Sequence, residues 1–235
     1  MFDNLPLRFY DQFIVGEGLA LMKTGLIATL EVSCIALFIG IIIGTIAALM
    51  KIAKGRTPAA KIMCKAANIT AGAYITLFRG TPVVVQLLLA YFGIMGPMGA
   101  NPLYVAFVTL GLNSGAYVAE IIRSGIMSVD RGQMEAGRSL GLSYTVTMFH
   151  IIIPQAVKNI LPALGNELIA LIKETSVVGF IAVFDLTRAA RSIISTTYDA
   201  FVPYLVLAFA YLVIVVIATK CVSILEGRLR RSDYR

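Results

Sequence analysis

Residues 135–154 read EAGRSLGLSYTVTMFHIIIP. This is one of the more polar pieces of a very apolar chain, and it lies between two long hydrophobic segments. Glu135, Ala136, Gly137, Gly141, Ile151 and Pro154 mark its spacing. Gly141 suits a tight turn, because a residue without a Cβ adopts positive φ freely. Pro154 can start or bend the segment that leads into the next apolar run.

Working outward, the composition fixes the solvent. The 235 residues are 58% hydrophobic and only 14% charged, with a mean hydropathy of +0.85. Such a chain is an all-α polytopic membrane protein rather than a soluble domain. The net charge of +7 sits in blocks between apolar segments, which points to membrane topology and away from nucleic acid. Cys34, Cys64 and Cys221 form no CxxC pair and read as buried thiols rather than a metal or disulfide frame. The first apolar segment is longer than the hydrophobic core of a signal peptide and is expected to stay as a helix.

Five spans are expected, at about 22–50, 66–95, 102–127, 161–184 and 203–222, within a single transmembrane domain covering 1–235. An interfacial aromatic lead-in precedes the first. Ala36, Gly40, Gly44 and Ala48 recur every four residues in that first span, a stripe that lets another helix approach closely. The second span is interrupted by Arg79-Gly80-Thr81-Pro82, where Pro82 lacks an N–H, so a kink or local unwinding is predicted. Neither half of it spans alone, so the two are joined as one broken helix. Residues 128–160 form the polar loop that holds the opening stretch.

Counting Lys and Arg orients the chain. Thirteen lie in the loop after span one, the 128–160 loop and the C-terminal segment; four lie on the other side, and Arg79, Arg123 and Lys173 lie within spans. The N-terminus is therefore expected outside and the C-terminus inside, with the 128–160 loop in the cytoplasm.

Charges near the bilayer centre are costly and usually face a bundle interior or a cavity. Asn166 and Lys173 share one face of the fourth span, and Glu167 and Glu174 share the adjacent one. Two readings stand side by side: a polar lining for a zwitterionic solute, or an internal salt-bridge network that fixes helix register. Arg79 lines the pathway or pairs with an acid such as Glu120; Asn113 lies on a polar face of the third span. His150 is the only histidine, so neither a zinc cluster nor a serine-type triad is available. The chain has no Gly-Lys pair and so no phosphate cradle of its own.

The opening stretch resembles the cytoplasmic "EAA" loop of ABC-importer membrane subunits: Glu-Ala-Ala, three residues, Gly, nine residues, then Ile-x-Leu-Pro. The spacing matches throughout, with Gly137 in place of the second Ala and Ile153 in place of Leu. FRGTPVVVQL (78–87), AYVAEIIRSGI (116–126), GQMEAGRSLG (132–141), PQAVKNILPALGNELIALIKETS (154–176) and the basic tail also look like membrane subunits of polar amino-acid ABC importers. The resemblance implies a type I importer permease fold in a bacterial plasma membrane, and a chain that is not itself an enzyme. It implies a second permease subunit, identical or different. It also implies an extracellular amino-acid-binding protein and cytoplasmic ATPases that carry the ATP and Mg, this chain binding no cofactor. By the same resemblance Glu135, Ala136, Gly137, Gly141, Ile151 and Pro154 belong to the ATPase-docking loop. Asn166 and Glu167, with Lys173, Arg79 and Asn113, are the substrate-side candidates. The extra carboxylate tilts the cargo toward a basic or neutral polar amino acid, of the arginine or glutamine type. The rival is an ion-coupled secondary transporter using the same acids, although no internal repeat is visible.

Overall fold

The computed structural model describes residues 4–53, 55 and 57–231, the side chains of residues 230 and 231 excepted. Among them the structure is helical, with no strand. A short helix α1 (Leu5–Phe9) runs on through wide turns to Val15 and leads into α2 (Gly18–Ile52). Then come α3 (Pro58–Gly80), α4 (Val83–Leu88, continued by wide turns to Met95) and α5 (Pro102–Met127). The polar loop forms α6 (Arg131–Ser139) and α7 (Tyr144–Thr147, continued to Ile152). After α8 (Ile153–Glu174) and a tight turn at Thr175–Ile181, α9 (Leu186–Thr197) and α10 (Phe201–Arg231) complete the described chain.

By length and composition α2, α5 and α10 can each cross a membrane, and α3 with the α4 segment makes a fourth candidate bent by 103°. Two elements begin earlier than their apolar content announces. Thr57 caps α3 by accepting from the Ala60 N–H at 3.2 Å, and Pro58 occupies the first turn, so Lys61 and Lys65 are helical rather than in a loop. Likewise α8 starts at Ile153 and ends at Glu174, so residues 175–184 leave the helix that a single apolar run over 161–184 would suggest.

The tightest packing joins α2 to α5, and here the four-residue stripe finds its partner within the same chain. Ala36, Gly40, Gly44 and Ala48 are all buried. A Cβ on Gly44 would come within 2.7 Å of the Val118 side chain and 2.8 Å of Gly115 O. On the facing helix, a Cβ on Gly111 would meet Ile39 at 2.6 Å. Small residues on both helices thus let the backbones close, which in an apolar solvent is the main source of helix association. One apolar cluster (Val32, Leu87, Leu110, Leu171, Val178, Ile181) joins α2, α4, α5 and α8. A second gathers Phe13, Met22, Leu186, Ala190 and Val202 at the end of the bundle far from α6 and α7.

At that far end Asp199 anchors the N-terminal helix. Arg8 Nε donates to its carboxylate at 2.8 Å and Gln12 Nε2 at 2.7 Å, and Arg8 also forms an ion pair with it. Asp185, fully buried, caps α9 by accepting from the Thr187 and Arg188 N–H groups at 3.0 Å.

Candidate functional site

The break between α3 and α4 follows from Pro82. In a continuous helix the Phe78 carbonyl would accept from the N–H four residues on, which is residue 82, and proline has none. Gln86 Nε2 supplies the missing donor at 2.9 Å, and it also lies 3.0 Å from Thr81 O and 2.7 Å from Thr81 Oγ1. Asn113 Nδ2 on α5 donates to the same Phe78 O at 3.1 Å and to Gln86 Oε1 at 3.0 Å. Tyr74 donates its hydroxyl to Leu112 O at 2.6 Å, fixing α3 to α5 just below the bend. Backbone freed at membrane depth is therefore re-satisfied by side chains, as an apolar solvent demands. Asn113 is buried and its amide protons are engaged in this clamp.

Beside the clamp, Ser114 Oγ donates to Glu167 Oε1 on α8 at 2.7 Å. Ser114 sits directly opposite Gly40, whose Cβ would lie 3.0 Å from that hydroxyl oxygen. The small stripe on α2 thus makes room for the one hydroxyl that holds the Glu167 carboxylate. Asn166, Lys173 and Arg79 are exposed on the surface of this chain, while Glu167 is half-buried. No ion pair among the described residues joins Lys173 to Glu167 or Glu174. Arg79 lays its guanidinium over the Tyr117 ring at 5.1 Å, and Glu120 pairs instead with Arg123, one turn away on α5. The structure thus ties Glu167 to Ser114, the residue next to Asn113 in the chain, and leaves Asn166, Lys173 and Arg79 exposed. Ser114 and Gln86 carry no charge, and nothing in their spacing singles them out in the sequence.

The opening stretch folds as two short helices joined by a tight cap. Asp130 caps α6, accepting from the Gly132 N–H at 2.6 Å. At the other end Leu142 N–H donates to Gly137 O, and Gly141 N–H to Arg138 O, both at 3.1 Å, with Gly141 at φ +81°. This is the Schellman pattern, in which a glycine takes the left-handed position. Ser143 then caps α7, its Oγ accepting from the Val146 N–H at 3.3 Å. Gly137 is buried, and a Cβ there would come 2.6 Å from Thr147 Cγ2. That contact accounts for glycine at this position, since α6 presses directly on α7. Glu135, Ala136 and Pro154 are exposed, as are Leu140 at 82% and Phe149 at 63%, while Ile151 is half-buried. At the neck of the loop Asn159 Nδ2 donates to Ser128 Oγ at 2.9 Å, and Gly125 lies directly against Ile160. The two short helices are therefore braced on the ends of α5 and α8.

Among the described residues no group of three or more His, Cys, Asp or Glu side chains is placed to hold a metal ion.

Residues 40–231 match the family model described as "Binding-protein-dependent transport system inner membrane component". The chain is 39% identical over 211 residues to the arginine transport system permease protein ArtQ of Bacillus subtilis, covering 89% of this chain and 92% of that one. It is 35% identical over 226 residues to the glutamine transport system permease protein GlnP of Escherichia coli K12, covering 94% and 98%. Among solved structures, a chain of an amino acid ABC transporter crystallised with histidines superposes with a TM-score of 0.83 at 43% identity, covering 97% of this chain and 99% of that one. A chain of the MetNI methionine ABC transporter, at 20% identity and a TM-score of 0.70, shares the fold.

Proposed function

We propose a role for this chain from one premise: it belongs to the family of binding-protein-dependent transport system inner membrane components. It is a non-catalytic, multi-pass permease subunit of a bacterial inner membrane. Its cargo is a polar amino acid, basic or neutral, and the energy comes from a separate cytoplasmic ATPase. Relatives named for arginine and glutamine transport and a solved relative crystallised with histidines support that substrate class.

Five spans account for the helices: α2, α3 with α4, α5, α8 and α10. The 22 residues of α8 extend roughly 33 Å at ~1.5 Å per residue, enough for a hydrocarbon core of about 30 Å. Its low apolarity suits a helix that lines a pathway rather than meeting lipid. Arg79, Asn166 and Lys173 are exposed on this chain alone, and in the five-span reading they fall within spans. Lipid is a poor neighbour for such groups, so a second permease subunit faces them across the pathway. Glu167, held by Ser114, offers a carboxylate to a cargo ammonium group.

The observation that carries the proposal is the loop of α6 and α7. It presents Leu140 and Phe149 to solvent on a double-capped frame, and none of the described residues covers them. Such a frame suits a docking knob for the ATPase. Closure of the ATPases on ATP would move the knob, and α5 and α8, braced at its neck, would carry the motion inward. ATP must then favour one pathway state over the other, because a ligand shifts an equilibrium only by its differential affinity.

The experiment is reconstitution with the ATPase and the extracellular binding protein. Uptake of radiolabelled arginine or glutamine that requires ATP and the binding protein supports the proposal. Uptake driven by an ion gradient without the ATPase overturns it.

A further inference from the structure

A second polar feature lies on the α6–α7 side of the bundle, away from Glu167. Where α2 ends and α3 begins, a cavity of about 590 Å³ opens between them, lined by Ala53, Gly55, Lys61, Cys64, Lys65, Asn68 and Ile69. The α3 members follow the spacing of a single helical face, so both lysines and the amide point into one space. Asn68 Nδ2 donates to Lys51 O at 2.9 Å, which ties the floor of the cavity to the end of α2. Neither Lys61 nor Lys65 forms an ion pair or hydrogen bond with another described residue. Two ammonium groups one turn apart, with no anion between them, face the same pocket.

The surroundings grade from charged to apolar. Ile69, one turn beyond Lys65, also lines the cavity and is strongly exposed. An inorganic anion would use the lysines and leave Ile69 bare. An amphiphile with a phosphate head and acyl tails would use both.

We propose that this cavity binds the headgroup of an anionic glycerophospholipid from the leaflet on the α6–α7 side. Lys61 and Lys65 hold the phosphate, and the acyl chains run along Ile69. The side agrees with the physical setting, since basic pockets between membrane helices on the cytoplasmic side favour anionic headgroups. By holding α2 to the start of α3, such a lipid braces the helix that carries the Arg79–Pro82 break.

The test uses the full-length chain, purified in mild detergent with equal amounts of phosphatidylglycerol and phosphatidylcholine, and read by native mass spectrometry. The wild type is expected to retain one phosphatidylglycerol in preference to phosphatidylcholine. Replacing both lysines (Lys61→Gln with Lys65→Gln) should lower that retention by about thirtyfold, as two lysines near an anionic headgroup contribute. Lys220→Gln, far along α10, should leave it unchanged, and the pair Lys61→Arg with Lys65→Arg should keep it. Three outcomes overturn the proposal: equal retention of the two lipids in the wild type, an equal loss from Lys220→Gln, or complete displacement by millimolar inorganic phosphate. The last would assign the cavity to a free phosphate instead. None of these readings depends on the ATPase, so they stand apart from the test of the transport function.

Discussion

Replacing Asn113 by alanine removes two hydrogen bonds at the α3–α4 break, to Phe78 O and to Gln86 Oε1. Side-chain hydrogen bonds between membrane helices average about 0.6 kcal/mol each and reach about 1.7. Asn113→Ala should therefore destabilise by roughly 1–2 kcal/mol, because Phe78 O keeps its bond from Gln86. Gln86→Ala goes further. It removes both amide protons from Phe78 O and Thr81, and it takes the acceptor from Asn113. Since the amide has only two protons for three acceptors, about three bonds are lost, or roughly 2–3 kcal/mol. The double variant should fall short of the sum by about 0.6 kcal/mol, the direct bond between the two side chains. Unfolding in bicelles, read by steric trapping, gives all three values. Strict additivity, or a stable Asn113→Ala protein whose only defect is a raised uptake KM, would refute the reasoning. The second result would make Asn113 a cargo contact and leave the clamp irrelevant.

Other perturbations reach the remaining parts of the account. Gly44→Leu should destabilise by about 3 kcal/mol or more, since even a Cβ meets Val118 and the Gly115 carbonyl; a thermal melt in detergent that matches the wild type would contradict this. Gly141→Ala forces a Cβ into φ +81° and should cost about 1–2 kcal/mol in the loop, with Gly141→Asn milder, as read from hydrogen exchange of the α6 amides. Glu167→Gln keeps the bond from Ser114, so the fold should persist while ATP-driven uptake falls by about tenfold, the worth of one lost charge contact of ~1.4 kcal/mol. At Asp199, partial burial pushes the carboxyl up. The bonds from Arg8, Gln12 and the Phe201 N–H more than offset this and leave it below its usual range. A lowered folded value means the tether of α1 is fully present above the ordinary aspartate range and is lost only as pH falls through the lowered one. Protection of residues 5–15 from proteolysis should accordingly hold from neutral pH to about pH 4 and fail only below it.

Local chemistry made much of this legible before any coordinates. Pro82 without its N–H announced the break, and the four-residue stripe from Ala36 to Ala48 announced a close helix contact. Gly141 announced the turn in the loop. The partners of these features were not legible, because each lies far along the chain: Gly111 and Gly115 for the stripe, Gln86 and Asn113 for the break. Arg8 and Asp199, at opposite ends of the sequence, carry no local signal at all. Charge misled at one place. Lys61 and Lys65 suggested a loop, yet a capped helix can carry lysines at a membrane surface when their ammonium groups reach water or a headgroup. Gly137 was visible only as a departure from the Glu-Ala-Ala pattern, and the contact with Thr147 explains it.

The central claim is that α6 and α7 form the knob through which an ATPase drives this permease. The most direct measurement places a photo-crosslinking thiol reagent at Leu140→Cys in a chain with Cys34, Cys64 and Cys221 replaced by serine, co-expressed with its ATPase. A covalent adduct to the ATPase from position 140, and none from Tyr198→Cys at the far end, is the result predicted. An ATPase that co-purifies yet gives no adduct from position 140, or gives it equally from position 198, would contradict the account.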